Sequence, residues 1–212
     1  MPEKLRLRFE KTGRAIYISH LDLMRTMQRV FLRADCPLKY SEGFNPHALI
    51  SILLPLSVGV GSVCELMDFQ LREDVDLAAL PERLTVVMPE GIRALEAYPA
   101  GRKVRELKWL RVTGRYEYDR AEPAEMAQKL STFYARDAIV ITRKTKRGEG
   151  QMDIVPAISE LHIRPEDTCV TVEAVVSAQE PTLNPDHLVA ALQQLAPELA
   201  PDFAAFTRQE VY

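Results

Sequence analysis

The period of the apolar residues changes early in the chain, and this change restricts the fold more than any other feature. In LRLRFEK, residues 5–11, apolar and charged side chains alternate with a period of two, as in a half-buried strand. AIYIS, residues 15–19, is predicted to continue the strand after a turn or bulge at Thr12-Gly13. Over residues 19–35 the apolar residues recur every three or four positions, which predicts an amphipathic helix.

The ends of this helix and its polar face can also be predicted. Ser19 is a natural N-cap, and Asp22, three residues later, can reach back to it. Pro37 is predicted to end the helix. The polar face carries three arginines at i, i+4 and i+8, and these are Arg25, Arg29 and Arg33.

The remaining segments complete a repeated order of elements. Strand-like segments follow the helix, then a short helix and a further strand, which is the split βαβ order of a ferredoxin-like domain. PAGRK, residues 99–103, is a plausible boundary between two units, and a similar order of elements recurs after it. In the second half, Asp153 is a candidate polar anchor. We therefore predict an α+β protein of two tandem ferredoxin-like (βαββαβ) units, residues 1–100 and 101–212. The alternative is one mixed sheet with helices on one side.

Composition indicates a globular protein with an uneven charge distribution. Hydrophobic residues make up 47% of the chain, and no apolar run is long enough to cross a bilayer, so a cytoplasmic protein without membrane association is expected. The three cysteines, Cys36, Cys64 and Cys169, are widely spaced and are predicted to be buried reduced thiols. The net charge is only −3, but residues 151–212 carry 2 basic and 10 acidic side chains. The rest of the chain can therefore present a basic face.

The segment YSEGFNPH, residues 40–47, has the composition of a binding loop. Its glycine permits a positive φ, and its proline disfavours a helical conformation at the preceding asparagine. His47 and Glu42 are candidate acid and base, and Tyr40 and Phe44 are candidate stacking groups. The rest of the segment supplies further candidate RNA contacts: Ser41, Gly43 and Asn45. The structural alternative is a plain loop whose histidine bonds the backbone and whose Phe44 fills the core.

Two further clusters are candidates for chemistry. His20 lies in the first turn of the arginine-bearing helix, where it either caps the helix or meets His47 to form an acid–base pair. The spacing of these residues matches no known metal motif, and no metal or other cofactor is predicted. The second half contains a predicted basic hairpin with Arg143, Lys144, Lys146 and Arg147. This hairpin either binds a phosphate backbone through its charges or is simply exposed to solvent.

Residues 13–71 resemble the signature half of the bacterial radical-SAM-linked protein family, a family of unknown function, and the resemblance extends over essentially the whole chain. The specific parts of the resemblance are YISHLD at 17–22 and YSEGFNPH at 40–47, with a weaker match in MDIVPAI at 152–158. The resemblance implies association with a radical-SAM protein. A fainter similarity, through paired ferredoxin-like units and the position of His20, points to the CRISPR-repeat-processing ribonucleases. Their glycine-rich loop near the C-terminus is absent here, because residues 180–212 contain no glycine.

These observations favour an accessory protein that binds RNA, or a phosphate-bearing substrate, and presents it to a radical-SAM partner. In this hypothesis Arg25, Arg29, Arg143 and Lys144 hold phosphate, while an aromatic of the loop stacks on an unpaired base. No DNA partner is predicted. One alternative is an RNA-cleaving or RNA-modifying enzyme that uses His20 and His47. The other is a protein–protein adaptor without nucleic-acid binding, whose acidic final third binds a basic partner.

Overall fold

The computed structural model describes residues 4–145 and 148–212, so Lys146 and Arg147 of the predicted basic hairpin lie outside the described residues. The chain divides into two compact units, Met1–Glu106 and Leu107–Tyr212. Each unit combines helices with an antiparallel sheet, which confirms the α+β class.

The first unit contains four strands and two helices. They are β1 (Leu5–Lys11), α1 (His20–Arg33), β2 (Ile50–Leu53), β3 (Gly61–Phe69), α2 (Leu80–Thr85) and β4 (Ile92–Pro99). Their sheet has the order β4-β1-β3-β2, and every neighbouring pair is antiparallel. The sequence predicted all six elements in this order, because each carries its own period of apolar residues.

The core of the first unit lies between helix α1 and the sheet. The residues of α1 that recur at helical spacing are fully buried, and they are Leu23, Met27, Val30 and Phe31. The ring of Phe31 packs on that of Phe69 in β3, with 4.9 Å between the ring centroids. This contact fixes the C-terminal end of α1 over the C-terminal end of β3.

The second unit repeats this pattern with one insertion. Its elements are β5 (Trp109–Glu117), α3 (Pro123–Tyr134), β6 (Val140–Thr145), β7 (Gly148–Asp153), β8 (Ile158–Pro165), β9 (Val170–Ser177), α4 (Asp186–Leu195) and β10 (Phe203–Val211). Strands β10, β5, β9 and β8 lie side by side in that order, again antiparallel. Strands β6 and β7 pair only with each other, as a separate hairpin.

Side chains hold the base of this hairpin. The Oδ1 atom of Asp153 accepts hydrogen bonds from the backbone N–H groups of Ile139, at 2.9 Å, and Val155, at 3.1 Å. The side chain of Gln194 in α4 accepts from Thr142 N and donates to Thr142 O. The prediction that Asp153 is a polar anchor is therefore confirmed.

Three local predictions can be compared directly with the structure. Residues 13–17 form a 3₁₀ helix and not the predicted continuation of β1, because Ala15 is buried and Gly13 turns the chain at φ 53°. A segment this short does not distinguish strand from helix by its period. Helix α1 ends at Arg33, four residues before Pro37. Asp35, between the end of the helix and Pro37, adopts a φ of 53°. The three cysteines are all buried and free, as predicted.

No helix within residues 4–145 and 148–212 combines the length and the apolar character needed to span a lipid bilayer.

Candidate functional site

Hydrogen bonds close the base of loop 40–47. Tyr40 and Ala48 form an isolated antiparallel bridge, and Ser41 N donates to His47 O at 2.8 Å. The Ser41 hydroxyl oxygen accepts from His47 N at 3.1 Å and lies 2.9 Å from His47 Nδ1. Three contacts between Ser41 and His47 thus fix the two ends of the loop against each other.

The same contacts orient the imidazole of His47. The Ser41 oxygen accepts the backbone N–H of His47 and retains both a proton and a second lone pair for Nδ1, so the direction of the Ser41–Nδ1 hydrogen bond depends on the tautomer of the ring. When the hydroxyl donates, Nε2 carries the ring proton; when Nδ1 donates, Nε2 is an acceptor. In either tautomer Nε2 is the ring nitrogen that the Ser41 contact does not use.

The tip of the loop presents an aromatic side chain to solvent. Phe44 is fully exposed and therefore does not fill the core, so this part of the structural alternative is wrong. Gly43 adopts a φ of 117°, which a residue with a side chain rarely does. Glu42 and Asn45, on either side of the tip, are also exposed.

A second aromatic lies at the base of the loop. Tyr40 is 44% exposed, and the guanidinium of Arg72 lies 5.6 Å from its ring centroid. Arg72 directly follows Leu71, which forms an isolated bridge with Leu38. Sequence reasoning missed Arg72 because the residue is more than thirty positions from Tyr40, and only the pairing of these two segments brings it there.

His47 also lines a cleft of ≈ 230 Å³ beside the start of β2. Asp68 also lines the cleft, and its carboxylate lies 2.6 Å from Arg6 Nε and 2.7 Å from Lys4 Nζ. The Asp68 side chain is almost completely buried, whereas that of Lys4 is 56% exposed. Loop and cleft together place two aromatics, one imidazole and a partly exposed ammonium group at one end of the first unit.

The structure does not bring His20 and His47 together. Phe31, near the C-terminal end of α1, contacts Phe69, and Ile50 at the start of β2 pairs with the same residue. The loop with His47 therefore lies at the C-terminal end of α1, whereas His20 is the first residue of that helix. A helix of 14 residues is about 21 Å long. An acid–base pair of His20 and His47 consequently receives no geometric support.

Around His20, the polar groups serve to cap the helix. Ser19 is the N-cap, as predicted, and its oxygen accepts from Asp22 N at 3.2 Å. The Asp22 carboxylate accepts from the Ser19 hydroxyl at 2.8 Å and from Arg25 Nη1 at 3.1 Å. These hydrogen bonds, from Ser19 first and then from Arg25, hold the pKa of Asp22 below its usual value. Part of the charge of Arg25 is thereby balanced within the helix.

The other two arginines of the stripe have a different setting. Arg29 and Arg33 are exposed and lie at one side of a groove of ≈ 330 Å³. Its remaining lining is mainly aliphatic and includes Ile18, Val30, Val87 and Met88. The arginine stripe of the sequence thus divides into one arginine paired at the helix start and two beside a groove.

The basic residues of the second unit lie on the separate hairpin. Arg143 is partly buried in β6, and its Nη1 lies 3.5 Å from Thr182 O, while Lys144 is exposed.

Half-buried His187, which sequence reasoning left without a role, has a buried Nδ1 without a hydrogen-bond partner. Burial, and secondly the charge of Arg143, lowers the pKa of His187 below 6.5. In the described ranges no three His, Cys, Asp or Glu side chains cluster as metal ligands.

Comparison with known families accounts for most of the chain. The family described as "Uncharacterized protein conserved in bacteria (DUF2344)" matches residues 4–185. The chain belongs to this family. The matched range of this DUF2344 protein includes helix α1, loop 40–47 and the separate hairpin, whereas His187 lies outside it.

Among solved structures, 23 chains match this DUF2344 protein. One is described as the crystal structure of an unknown protein from Galdieria sulphuraria. It shares 10% identity over 98% of this chain and 99% of its own, with a TM-score of 0.28. A search of curated proteins finds no match.

Proposed function

We propose that this DUF2344 protein is a cytoplasmic accessory protein that binds single-stranded RNA through loop 40–47. The bound RNA, or a related phosphate-bearing substrate, is then presented to a radical-SAM partner. The partner is implied by the resemblance of YISHLD and YSEGFNPH to the radical-SAM-linked family. The RNA part of the proposal rests on the loop itself.

The observation that carries the proposal is the full exposure of Phe44 on a loop that is closed at its base. A phenyl ring in water forgoes the free energy of burial, which is on the order of 1.5–3 kcal/mol for a large apolar side chain. An exposed ring on a closed loop can stack on an unpaired base, since every base has a π face. Such stacking contributes about 1–3 kcal/mol per base.

The surroundings of Phe44 fit the rest of a nucleotide. Tyr40 offers a second ring, and Arg72 beside it offers a cation for phosphate. Asn45 and the backbone at Gly43 supply hydrogen-bonding groups near the tip, and Ser41 and His47 supply polar groups at the base. Unpaired RNA is recognised by this combination of stacking and polar contacts to base edges.

The helix arginines act at longer range in this proposal. Arg25 is balanced in part by Asp22, and both Arg25 and Arg29 lie on α1, outside the loop. They contribute attraction for a polyanion, as Arg143 and Lys144 do on the hairpin of the second unit. Such contributions weaken as the salt concentration rises, whereas stacking on Phe44 is far less sensitive to salt.

We further infer that both units are ferredoxin-like. The support is the strand order within each sheet: the order β4-β1-β3-β2 of the first unit corresponds to β10-β5-β9-β8 in the second. In both, the helices follow the first and third of these strands in chain order, and all neighbours are antiparallel. The β6–β7 hairpin is then an insertion before the second strand of the second unit.

The RNA proposal is tested by replacing Phe44. A fluorescein-labelled oligouridylate is titrated with the wild-type protein and with Phe44→Ala, and binding is followed by fluorescence anisotropy. Loss of one stacked base should weaken binding about tenfold, because 1.4 kcal/mol corresponds to a factor of about 10. Val58→Ala, at another exposed apolar residue of the same unit, is the matched control and should bind as the wild type does.

Both substitutions are at exposed positions, so the melting temperatures of the variants should equal that of the wild type. Equal RNA affinity for Phe44→Ala and wild type would overturn the loop as the RNA site. The partner is tested separately, by co-purification with a radical-SAM protein expressed in the same cells. If the two proteins do not co-purify while RNA still binds, only the RNA part of the proposal is supported.

A further inference from the structure

A groove of ≈ 330 Å³ runs along helix α1 on the first unit, and none of its lining residues belongs to loop 40–47. One side is formed by α1, through Val30, Arg29 and Arg33, and the other by Val87 and Met88 after α2. The groove has a largely aliphatic floor and contains no aromatic ring among its lining residues. Its chemistry therefore differs from that of the loop, whose exposed groups are aromatic.

The charge at the groove is positive and is not balanced locally. Arg29 and Arg33, four residues apart on α1, make no ion pair with any residue that the structure describes. None of the described residues that line the groove carries a carboxylate. Two guanidinium groups beside an aliphatic floor favour a ligand that carries both anionic and aliphatic groups.

Two exposed aliphatic side chains are close in sequence to lining residues on the two sides of the groove. Leu32, one turn from Arg29 on α1, is 76% exposed, and Val86, next to Val87, is 80% exposed. Both are available to a ligand that extends past the groove. An extended ligand such as a peptide covers such a surface better than a small molecule does.

We propose that this groove is a docking site for an acidic segment of a partner protein, bound through one or two aliphatic side chains. An aliphatic side chain of the partner lies on Val30, Val87 and Met88, and its flanking carboxylates pair with Arg29 and Arg33. RNA is the less suitable occupant, because its bases need aromatic surfaces for stacking and this floor supplies none. The inference is independent of the proposed RNA binding at loop 40–47.

The test uses labelled peptides with the intact protein. A set of fluorescein-labelled peptides of about 11 residues, three helical turns, carries two leucines three or four positions apart among glutamates and aspartates. Binding is measured by anisotropy at low salt, up to about 1 mM protein. A matched set in which serine replaces leucine separates aliphatic recognition from simple charge attraction.

Three variants locate the binding site. Arg29→Glu with Arg33→Glu should weaken binding at least about tenfold, as loss of central interface contacts does. Arg105→Glu with Arg120→Glu changes the net charge equally at two other exposed arginines and should leave binding nearly unchanged. Leu32→Ser, at an exposed position, should weaken binding without affecting folding.

The outcomes separate the possible occupants. The proposal is supported if the leucine peptides bind and the serine peptides do not. This binding should be lost in Arg29→Glu with Arg33→Glu and kept in the control variant. The proposal is overturned if no peptide of the set binds, or if both charge reversals act equally. Some loss of oligouridylate binding is expected in the groove variant, because Arg29 also attracts polyanions at long range. The proposal is also overturned if this variant loses far more oligouridylate affinity than Phe44→Ala does while no leucine peptide binds, since the groove then holds RNA.

Discussion

Asp68 lies buried in β3 with two cations on its carboxylate. Its oxygens accept from Arg6 Nε at 2.6 Å and from Arg6 Nη2 at 3.2 Å, and Lys4 Nζ lies 2.7 Å away. Arg6 is itself only 3% exposed, and its Nη2 also donates to Arg102 O. A buried pair of this kind contributes little compared with an apolar pair, but the loss of one partner leaves a buried charge unpaired.

Asp68→Asn should therefore destabilise the protein strongly. Arg6 would lose its charged partner in a buried position, and breaking such a pair typically reduces the free energy of unfolding by about 3–5 kcal/mol. Urea denaturation followed by circular dichroism measures the change. Glu10→Gln, which removes the partner of exposed Arg93, is the control and should have little effect. Similar effects of the two substitutions would contradict the assignment of Asp68 as a buried anchor.

His187 makes the stability of the second unit depend on pH. Desolvation, and then the nearby charge of Arg143, lowers its pKa below 6.5 in the folded protein. The unfolded chain consequently binds a proton at His187 more readily than the folded protein does. This contribution to stability is complete above pH 6.5, and it is lost as the pH falls from 6.5 through the folded-state pKa.

An NMR titration of the His187 ring should accordingly give a pKa below 6.5, and Arg143→Ala should raise it. His187→Gln should make the free energy of unfolding less dependent on pH below 6.5, because the group that binds the extra proton is removed. A measured pKa of 6.5 or above for His187 in the wild type would show that burial does not control its protonation.

At the scale of the elements, β5 and β10 approach each other closely at Gly114. Gly114 in β5 lies opposite Phe206 in β10, and a Cβ atom built on Gly114 would lie 2.6 Å from the Phe206 ring. The same ring packs edge-on against Tyr116, with 5.9 Å between the centroids. A glycine in β5 thus makes room for the aromatic side chain of its partner strand.

Gly114→Ala should destabilise the second unit by about 1–3 kcal/mol, the usual effect of adding atoms to a packed core. Displacement of Phe206 should be visible as a change in its aromatic NMR signals. Gly101→Ala is the matched control, because a Cβ there meets nothing within 4 Å. An unchanged unfolding midpoint for Gly114→Ala would mean that the strands separate to admit the methyl group without loss of stability.

At the scale of the whole molecule, the three buried thiols report on the two units separately. Cys36 and Cys64 belong to the first unit and Cys169 to the second. Burial raises the pKa of Cys36, so fewer molecules carry the reactive thiolate at neutral pH. Access to any of the three requires part of its own unit to open.

In native buffer we expect an aromatic disulfide reagent such as Ellman's reagent to label all three cysteines far more slowly than it labels them in denaturant. Mass spectrometry of the labelled peptides would then give the rate at which each unit opens. Rapid labelling of one cysteine in native buffer would contradict its burial. The Cys36 and Cys64 rates should agree if the first unit opens as one cooperative body, and Cys169 should follow its own rate.

The sequence by itself determined the kind of each main element, their order, and the details that depend on near neighbours. Most strands, the four α-helices, the Ser19 cap of α1 and the buried thiols were predicted correctly, because period, capping and composition are local properties. Two short segments were mistaken: residues 13–17 form a 3₁₀ helix in which Ala15 is buried, and Gly148–Gly150, whose glycines are typical of a turn, belong to β7.

Only the tertiary structure decided which of the candidate residues meet. It separated His20 from His47 by the length of α1, set Arg72 against Tyr40, exposed Phe44, and placed Arg29 and Arg33 beside an aliphatic groove. These relations depend on contacts between residues far apart in the chain, such as the packing of Phe31 on Phe69. The period of a segment gives the face that it buries, but the partner of that face is chosen by packing across the whole unit.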